Sequence, residues 1–291
     1  MTANPAVESI VEPRIRDIGE FAVRRLLPAA ARRSVGPFVF LDHFGPVAMA
    51  PGQGMNVRPH PHIGLATVTY LLEGEIVHRD SVGYVQPIRP GDVNWMTAGQ
   101  GIVHSERSSP EERAKGPRLH GIQSWAALPA ASEEAEPRFT HHPAASLPSF
   151  ALDGARLRLI AGTAFGHEAP VAVLSPTLYV DVELQAGATL KIPREHAERA
   201  IYTISGDVEV DGQSHGATRL LLFAAGSEPR LTSKDGARFL LMGGAPLDGH
   251  RHLYWNFVSS RRERIDQAKR DWAEGRFPKI PGETDYIPLP A

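Results

Sequence analysis

The chain has 291 residues, enough for two ordinary domains or one large one. Its 31 Lys and Arg against 33 Asp and Glu leave a formal net charge of −2. That excludes a generic electrostatic grip on nucleic acid or on an anionic membrane, because both need massed basic side chains. Cysteine is absent, which removes disulfides, thiolate catalysis, iron–sulfur clusters and zinc fingers together.

From the N-terminus, the stretch MTANPAVESIVEP carries acidic residues and no apolar run of signal-peptide length. No later segment approaches the roughly 18 apolar residues of a membrane span. A cytoplasmic protein is expected. Hydrophobic residues make up 42% of the chain, a globular mixture that rules out disorder as the main state. The 27 Gly and 25 Pro speak for many turns and short strands.

Short β-branched runs bounded by Gly or Pro predict strands over 37–41, 66–72, 75–79, 92–96, 157–161, 178–184, 200–204, 207–210 and 238–242. Their spacing of about ten residues is that of a sandwich or barrel. Between 126 and 149 the composition turns to Ala, Pro, Glu and Ser, which reads as a connector with one short strand at 138–140. The word TYLLEGEIVHRDS (69–81) lies over IYTISGDVEVDGQ (201–213), matching Tyr70 to Tyr202 and Gly74 to Gly206. Strand, glycine turn, acidic residue and strand follow one another in both, so two β domains of similar build are expected. Residues 1–128 form the first domain, 129–149 the connector, 150–257 the second domain and 258–291 a tail. In the tail, Ser260 and Glu263 have capping-box spacing, and Ile265, Ala268 and Trp272 recur on one helical face. A helix is predicted over 261–274, stopped at Gly275 and followed by an extended, Pro-rich end.

The chemistry concentrates in histidine. Of 13 histidines, six (His43, His60, His62, His78, His104 and His120) fall within one stretch of the first half. In an extended chain residues i and i+2 share a face, and Pro61 holds His60 to extended backbone. His60 with His62, and His104 with Glu106, are therefore two pairs of metal-ligand type. Facing each other across a barrel, their strands would make a three-His, one-Glu site. That donor set suits Fe(II), Mn(II), Ni(II), Cu(II) or Zn(II) without choosing among them.

Elsewhere the signals are bland. Gly52-Gln-Gly54 and Gly99-Gln-Gly101 lack the third glycine and the following helix of a dinucleotide loop. His141 and His142 read as a solvated pair. Arg261, Arg262 and Arg264 read as a solvated or subunit-facing basic patch, and Tyr70 and Trp95 as core.

Longer words sharpen the reading. G-x5-H-x-H from Gly54 and G-x2-H from Gly101 resemble the two cupin motifs. VGPFVFLDHFGP (35–46), PHPH (59–62), TVTYLLEGEIVHRDS (67–81), PGDVNWMTAGQGIVHSE (90–106) and LHGIQSW (119–125) resemble the pirin family of bicupins. The likeness is specific over residues 21–125 and looser through MGGAPLDG (242–249) to the end. It implies an all-β bicupin, two cupin β-barrels of jelly-roll type, here with a C-terminal helix. It further implies one divalent metal per chain, usually Fe(II), with Ni, Mn, Cu, Co and Zn as alternatives. The metal would be held by His60, His62, His104 and Glu106 in the first cupin alone, with Glu106 also a candidate base. By the constant offset of the repeat, His60 and His62 fall on Ile192 and Arg194, and His104 and Glu106 on Gly236 and Arg238, so no second site is expected.

Some pirins cleave quercetin with O2, and eukaryotic pirins act as transcriptional co-regulators. The resemblance therefore implies a quercetin 2,3-dioxygenase-type oxidoreductase, acting on a flavonol or similar enolic substrate with release of carbon monoxide. The alternative is a non-catalytic, metal-dependent regulatory protein acting through a protein partner. Neither reading calls for direct nucleic-acid or membrane contact. Two features depart from the commoner family pattern. Ile63-Gly-Leu-Ala66 stands where R-G-F-E is usual, and the tail is long. Ile63 and Ala66 are read as an apolar replacement for an ion pair, leaving a drier wall beside His62.

Overall fold

Each run predicted as a strand is a strand, with its ends moved by a few residues; 37–41, for instance, extends to Phe38–Ala48. The structure, a computed structural model, describes residues 5–290. The chain divides into two compact units. Unit 1 comprises residues 5–14, 24–40 and 145–246, and unit 2 comprises 15–23, 41–144 and 247–290.

Unit 2 is built on two antiparallel sheets. One runs in the order Arg138–His142, Val93–Thr97, Leu65–Glu73, Arg118–Ala127, Phe38–Ala48. The other runs Asn56–His62, Ile102–Arg107, Ile76–Asp80, Val85–Ile88. Unit 1 repeats this plan. Its larger sheet contains Val7–Val11, Leu220–Phe223, Glu198–Ser205, Ala237–Gly244 and Thr177–Leu184 in that order. Its smaller sheet runs Thr189–Lys191, Arg230–Thr232, Val208–Val210, Gln213–His215. The duplication read from one pair of hairpins therefore extends strand for strand. Tyr70 and Tyr202 are both fully buried. Gly74 (φ +91°) and Gly206 (φ +73°) occupy the left-handed region, where a Cβ would run into the carbonyl oxygens of Arg118 and Gly236 respectively. Only glycine fits either turn.

One expectation from the repeat is corrected. The strands of unit 1 that correspond to Asn56–His62 and Ile102–Arg107 are Thr189–Lys191 and Arg230–Thr232, so the constant offset breaks between hairpins. There Leu190 pairs with Leu231, and both lie in the apolar core of the unit with Val180, Ile201, Leu221 and Phe239.

The tail also differs in detail. A helix spans Arg262–Ala273, and Gly275 follows at φ +69°. The capping box does not form, because no side chain bonds to the free N–H groups of the first turn. Instead the Ser260 amide and hydroxyl donate to the Glu133 carboxylate, at 2.6 and 2.9 Å. The basic patch is engaged as well: Arg261 and Arg264 both pair with Glu134, at 2.8 and 3.0 Å. Residues beyond the helix form no further helix or strand and include turns at 274–275 and 281–282, and the Ile287 amide donates to the Pro59 carbonyl at 2.8 Å. Among the described residues no helix is long and apolar enough to cross a membrane.

Ile63 and Ala66 are both buried. Ile63 belongs to a cluster with Phe257, Ile265 and Ala268, the inward face of the C-terminal helix. The apolar residue at 63 and the long tail are thus one feature: the helix needs an apolar seat, and an arginine there would lie buried beneath it. Truncation of Ile63 to Ala is expected to cost about 2–5 kcal/mol in urea denaturation, and hydrogen exchange of the helix amides should accelerate selectively. An exposed, unimportant position would instead give a change within about 0.5 kcal/mol.

Candidate metal centre

Two prolines shape the first ligand strand. Asn56–His62 lies at the edge of its sheet, where residues without an N–H are tolerated. Its register against Ile102–Arg107 pairs His60 with His104 and Val57 with Glu106. Arg58 and Pro59 therefore oppose Ser105 alone, a β-bulge of the kind that re-aims side chains. The expectation that the two ligand strands face each other across a barrel is corrected: they are hydrogen-bonded neighbours in one sheet. Directly paired residues of an antiparallel ladder point to the same side, and this brings the imidazoles together.

His60, His62 and His104 are all buried, and one ring nitrogen from each lies within 4.8 Å of the others. The Nε2 atoms of His62 and His104 are 3.1 Å apart. His60 Nδ1–H donates to the Arg58 carbonyl in the bulge at 2.8 Å, which leaves its Nε2 lone pair free. Glu106, also buried, is not part of the 4.8 Å group. The Thr69 hydroxyl lies 3.0 Å from Glu106 Oε1 and 2.9 Å from Gln123 Oε1, and its single proton serves one of them at a time.

Electrostatics separates the two kinds of group. Burial holds His60 down at about 4, and burial with the neighbouring imidazoles holds His62 and His104 well below the ordinary range. These rings are neutral donors at physiological pH. Burial pushes Glu106 the other way, above the usual carboxylate range, against the opposing effects of His78 and Thr69. Three neutral imidazoles with a carboxylate nearby fit a divalent transition ion. Two nitrogens 3.1 Å apart cannot both aim lone pairs at each other without a positive centre between them, either a proton or a metal.

The structure also gathers residues that sequence reasoning left aside. His78 Nδ1 stands 3.3 Å from His104 Nδ1, and Asp80, Thr69 and Gln123 complete the polar interior. H-R-D is a third i, i+2 pair, at the end of the strand predicted over 75–79, but it points to the site only once that strand is seen to lie beside Ile102–Arg107. His43 and His120 stack on each other, with Nε2 atoms 2.7 Å apart. His141 is half-buried rather than solvated, because its Nδ1–H donates to Asn94 Oδ1 at 2.8 Å. Tyr70 and Trp95 are buried, as expected of core.

Two units of one strand order, with a buried three-imidazole group in one of them, define a bicupin. Residues 20–126 match the family profile described as Pirin, and residues 179–278 match the Pirin C-terminal cupin domain. The chain is 49% identical to a pirin-like protein of Caulobacter vibrioides, over 98% of this chain and 99% of that protein. It is 34% identical to the pirin of Rattus norvegicus, over 87% of each. A crystal structure of quercetin 2,3-dioxygenase from Acinetobacter baumannii superposes with a TM-score of 0.90 at 34% identity, covering 97% of this chain and 95% of that one. The chain belongs to the pirin family.

The pKa shifts fix the sign of a pH dependence. His60, His62 and His104 stay neutral in the fold where the unfolded chain would bind a proton. Below the ordinary value of 6.5 the unfolded state therefore takes up more protons, and stability falls with falling pH, for His60 down to about 4. Glu106 acts oppositely, losing stability as pH rises past its ordinary 4.5. Chelator-stripped protein should lose stability between pH 7 and pH 5, by up to about 1.4 kcal/mol per pH unit per imidazole. Urea denaturation across that range checks it, and an unchanged midpoint would mean that the imidazoles are charged in the fold.

Proposed function

We propose that this chain is a metal-dependent dioxygenase of the quercetin 2,3-dioxygenase type. One divalent ion per chain is held by His60, His62 and His104, with Glu106 as fourth ligand or as general base. The observation that carries the reading is the buried, neutral three-imidazole group. The likeness to the Acinetobacter enzyme supports the reaction class. In unit 1 the corresponding strands carry Leu190 and Leu231, which supports one metal per chain.

A bound ion such as Fe(II) would supply Lewis acidity toward the 3-hydroxyl and 4-carbonyl of a flavonol and an electron route to O2. The protein's share is to present three uncharged donors and a carboxylate whose raised pKa strengthens it as a proton acceptor. Glu106 takes the flavonol hydroxyl proton, leaving an electron-rich enolate. Thr69 orients that carboxylate by its hydroxyl proton. The Trp125 ring, edge-on to His62 with centroids 5.2 Å apart, adds an apolar wall beside the donors.

Anaerobic loading with Fe(II), followed by O2 uptake and carbon monoxide release with quercetin, tests the proposal. Turnover should vanish with the metal in His104→Ala. Glu106→Gln should keep most of the metal and lose at least about 100-fold in kcat, the lower end of what a positioned base contributes. Parallel loss of metal and rate in Glu106→Gln would make the carboxylate a structural ligand. A chain that retains its metal yet is inert toward quercetin and related enols would overturn the enzymatic reading in favour of a regulatory one.

A further inference from the structure

We infer that the tail builds a second binding site, an aromatic cage for a small quaternary ammonium cation of the choline type. The site is independent of the metal centre proposed above. Within unit 2, a cavity of about 570 Å³ lies between residues 272–286 and two residues of the ligand strands, Pro59 and Val103. That is the size of a small-molecule site. Its walls are aromatic, with Trp272, Phe277 and Tyr286 all lining it. The Phe277 and Tyr286 rings meet Trp272 at nearly a right angle, 82° and 87°, with centroids 5.8 and 5.7 Å away. Perpendicular neighbouring rings offer π faces from more than one direction, which suits a compact cation better than a flat molecule. The protein braces these walls from behind. Trp272 Nε1–H donates to the Ile287 carbonyl at 3.0 Å, and Phe277 stacks on Phe257 with planes 9° apart.

Charge selects the sign of the guest. Glu274, Glu283 and Asp285 line the cavity against one cation, Lys279. The arginines outside it are shared: Arg107 pairs with both Glu283 and Asp285, and Arg276 with both Glu274 and Asp271. Each pair of carboxylates thus keeps one uncompensated negative charge, and Lys279 cancels only one of the two. The cavity is left negative, and an anionic guest is opposed. At the same time the carboxylates are engaged as acceptors, by the guanidinium groups and by the Ser105 hydroxyl. A primary ammonium gives up hydration that it must replace with hydrogen bonds, and few acceptors are left for it. A quaternary ammonium has no N–H to satisfy, and needs only π faces and a negative potential.

Isothermal titration calorimetry of the full-length protein with choline tests the site. The controls are the neutral isostere of choline, in which carbon replaces the nitrogen, and benzoate. Choline should bind saturably and the controls should not. Tyr286 is 57% exposed, so Tyr286→Ala removes one wall without opening the core. Its affinity for choline should fall about 2- to 30-fold, the span of a single cation–π contact. Asp285→Asn should weaken binding, and Lys279→Ala, which removes the opposing charge, should tighten it. Absence of choline binding, equal binding of either control, or unchanged affinity in a folded Tyr286→Ala protein overturns the inference. Retention on phosphatidylcholine vesicles without affinity for free choline overturns the assignment to a small molecule.

Discussion

Three imidazoles inside one small β unit can coexist only while they stay uncharged or share a cation, and much of the local structure follows from that constraint. Desolvation and mutual repulsion both oppose protonation, so the rings persist as hydrogen-bonding neutrals. Neutral imidazoles still need partners for their N–H groups, since an unmatched buried donor costs about 1–3 kcal/mol. The bulge at Arg58 and Pro59 turns a backbone carbonyl toward His60. The neighbouring strand brings a histidine to His104. An edge strand is the place where Pro59 and Pro61 can supply that geometry without leaving gaps in a ladder paired on both sides.

The two units form an internal control. They share strand order in both sheets, and they share the glycine turn and buried tyrosine of their matching hairpins. They differ in what fills the space behind the smaller sheet. In unit 1, Leu190 and Leu231 meet there inside a continuous apolar cluster, the cheapest way to close such a fold. In unit 2 the corresponding strands carry His60, His62, His104 and Glu106, each buried. Replacing an apolar interior by four desolvated polar groups costs stability, because every polar atom must find a partner away from water. The fold does not need those groups, so their presence is tied to chemistry.

Most of the strands, the duplication and the four polar residues were legible in the sequence, because period-2 alternation and i, i+2 pairs survive without knowledge of the partner strand. Register was not. Whether Asn56–His62 and Ile102–Arg107 oppose or adjoin each other depends on sheet order, which no local pattern encodes. For the same reason the constant offset of the repeat placed His104 over Gly236, when loops of unequal length had shifted the matching strand to Arg230–Thr232. The helix stood out by its 3.6-residue periodicity and by Gly275. Its capping box failed because Glu133, more than 120 residues away, competes for Ser260. Tertiary competition of that kind leaves no trace in a short motif. His78 and Asp80 went unused because a single H-x-D pair becomes informative only once its strand lies against a ligand strand.

The same alternation that turns His104 and Glu106 inward turns Ser105 and Arg107 outward, and the outward residues are held by the tail. The Ser105 hydroxyl donates to Glu283 at 2.5 Å, and Arg107 pairs with Glu283 and Asp285 at 2.7 and 2.9 Å. On the adjoining ligand strand the Pro59 carbonyl accepts from the Ile287 amide, completing a bond that the edge of a sheet would otherwise leave to water. Arg107 and Glu283 are 23% and 10% exposed, so their pair is screened less than a surface ion pair. Both ligand strands are thus fastened from behind by one segment, while the helix preceding that segment rests on Ile63, the residue next to His62. The donors of the proposed metal site would have to be held to about 0.5 Å, and an edge strand with two prolines is poorly suited to that precision alone. The long tail supplies from outside the rigidity that the edge strand gave up to aim its histidines inward.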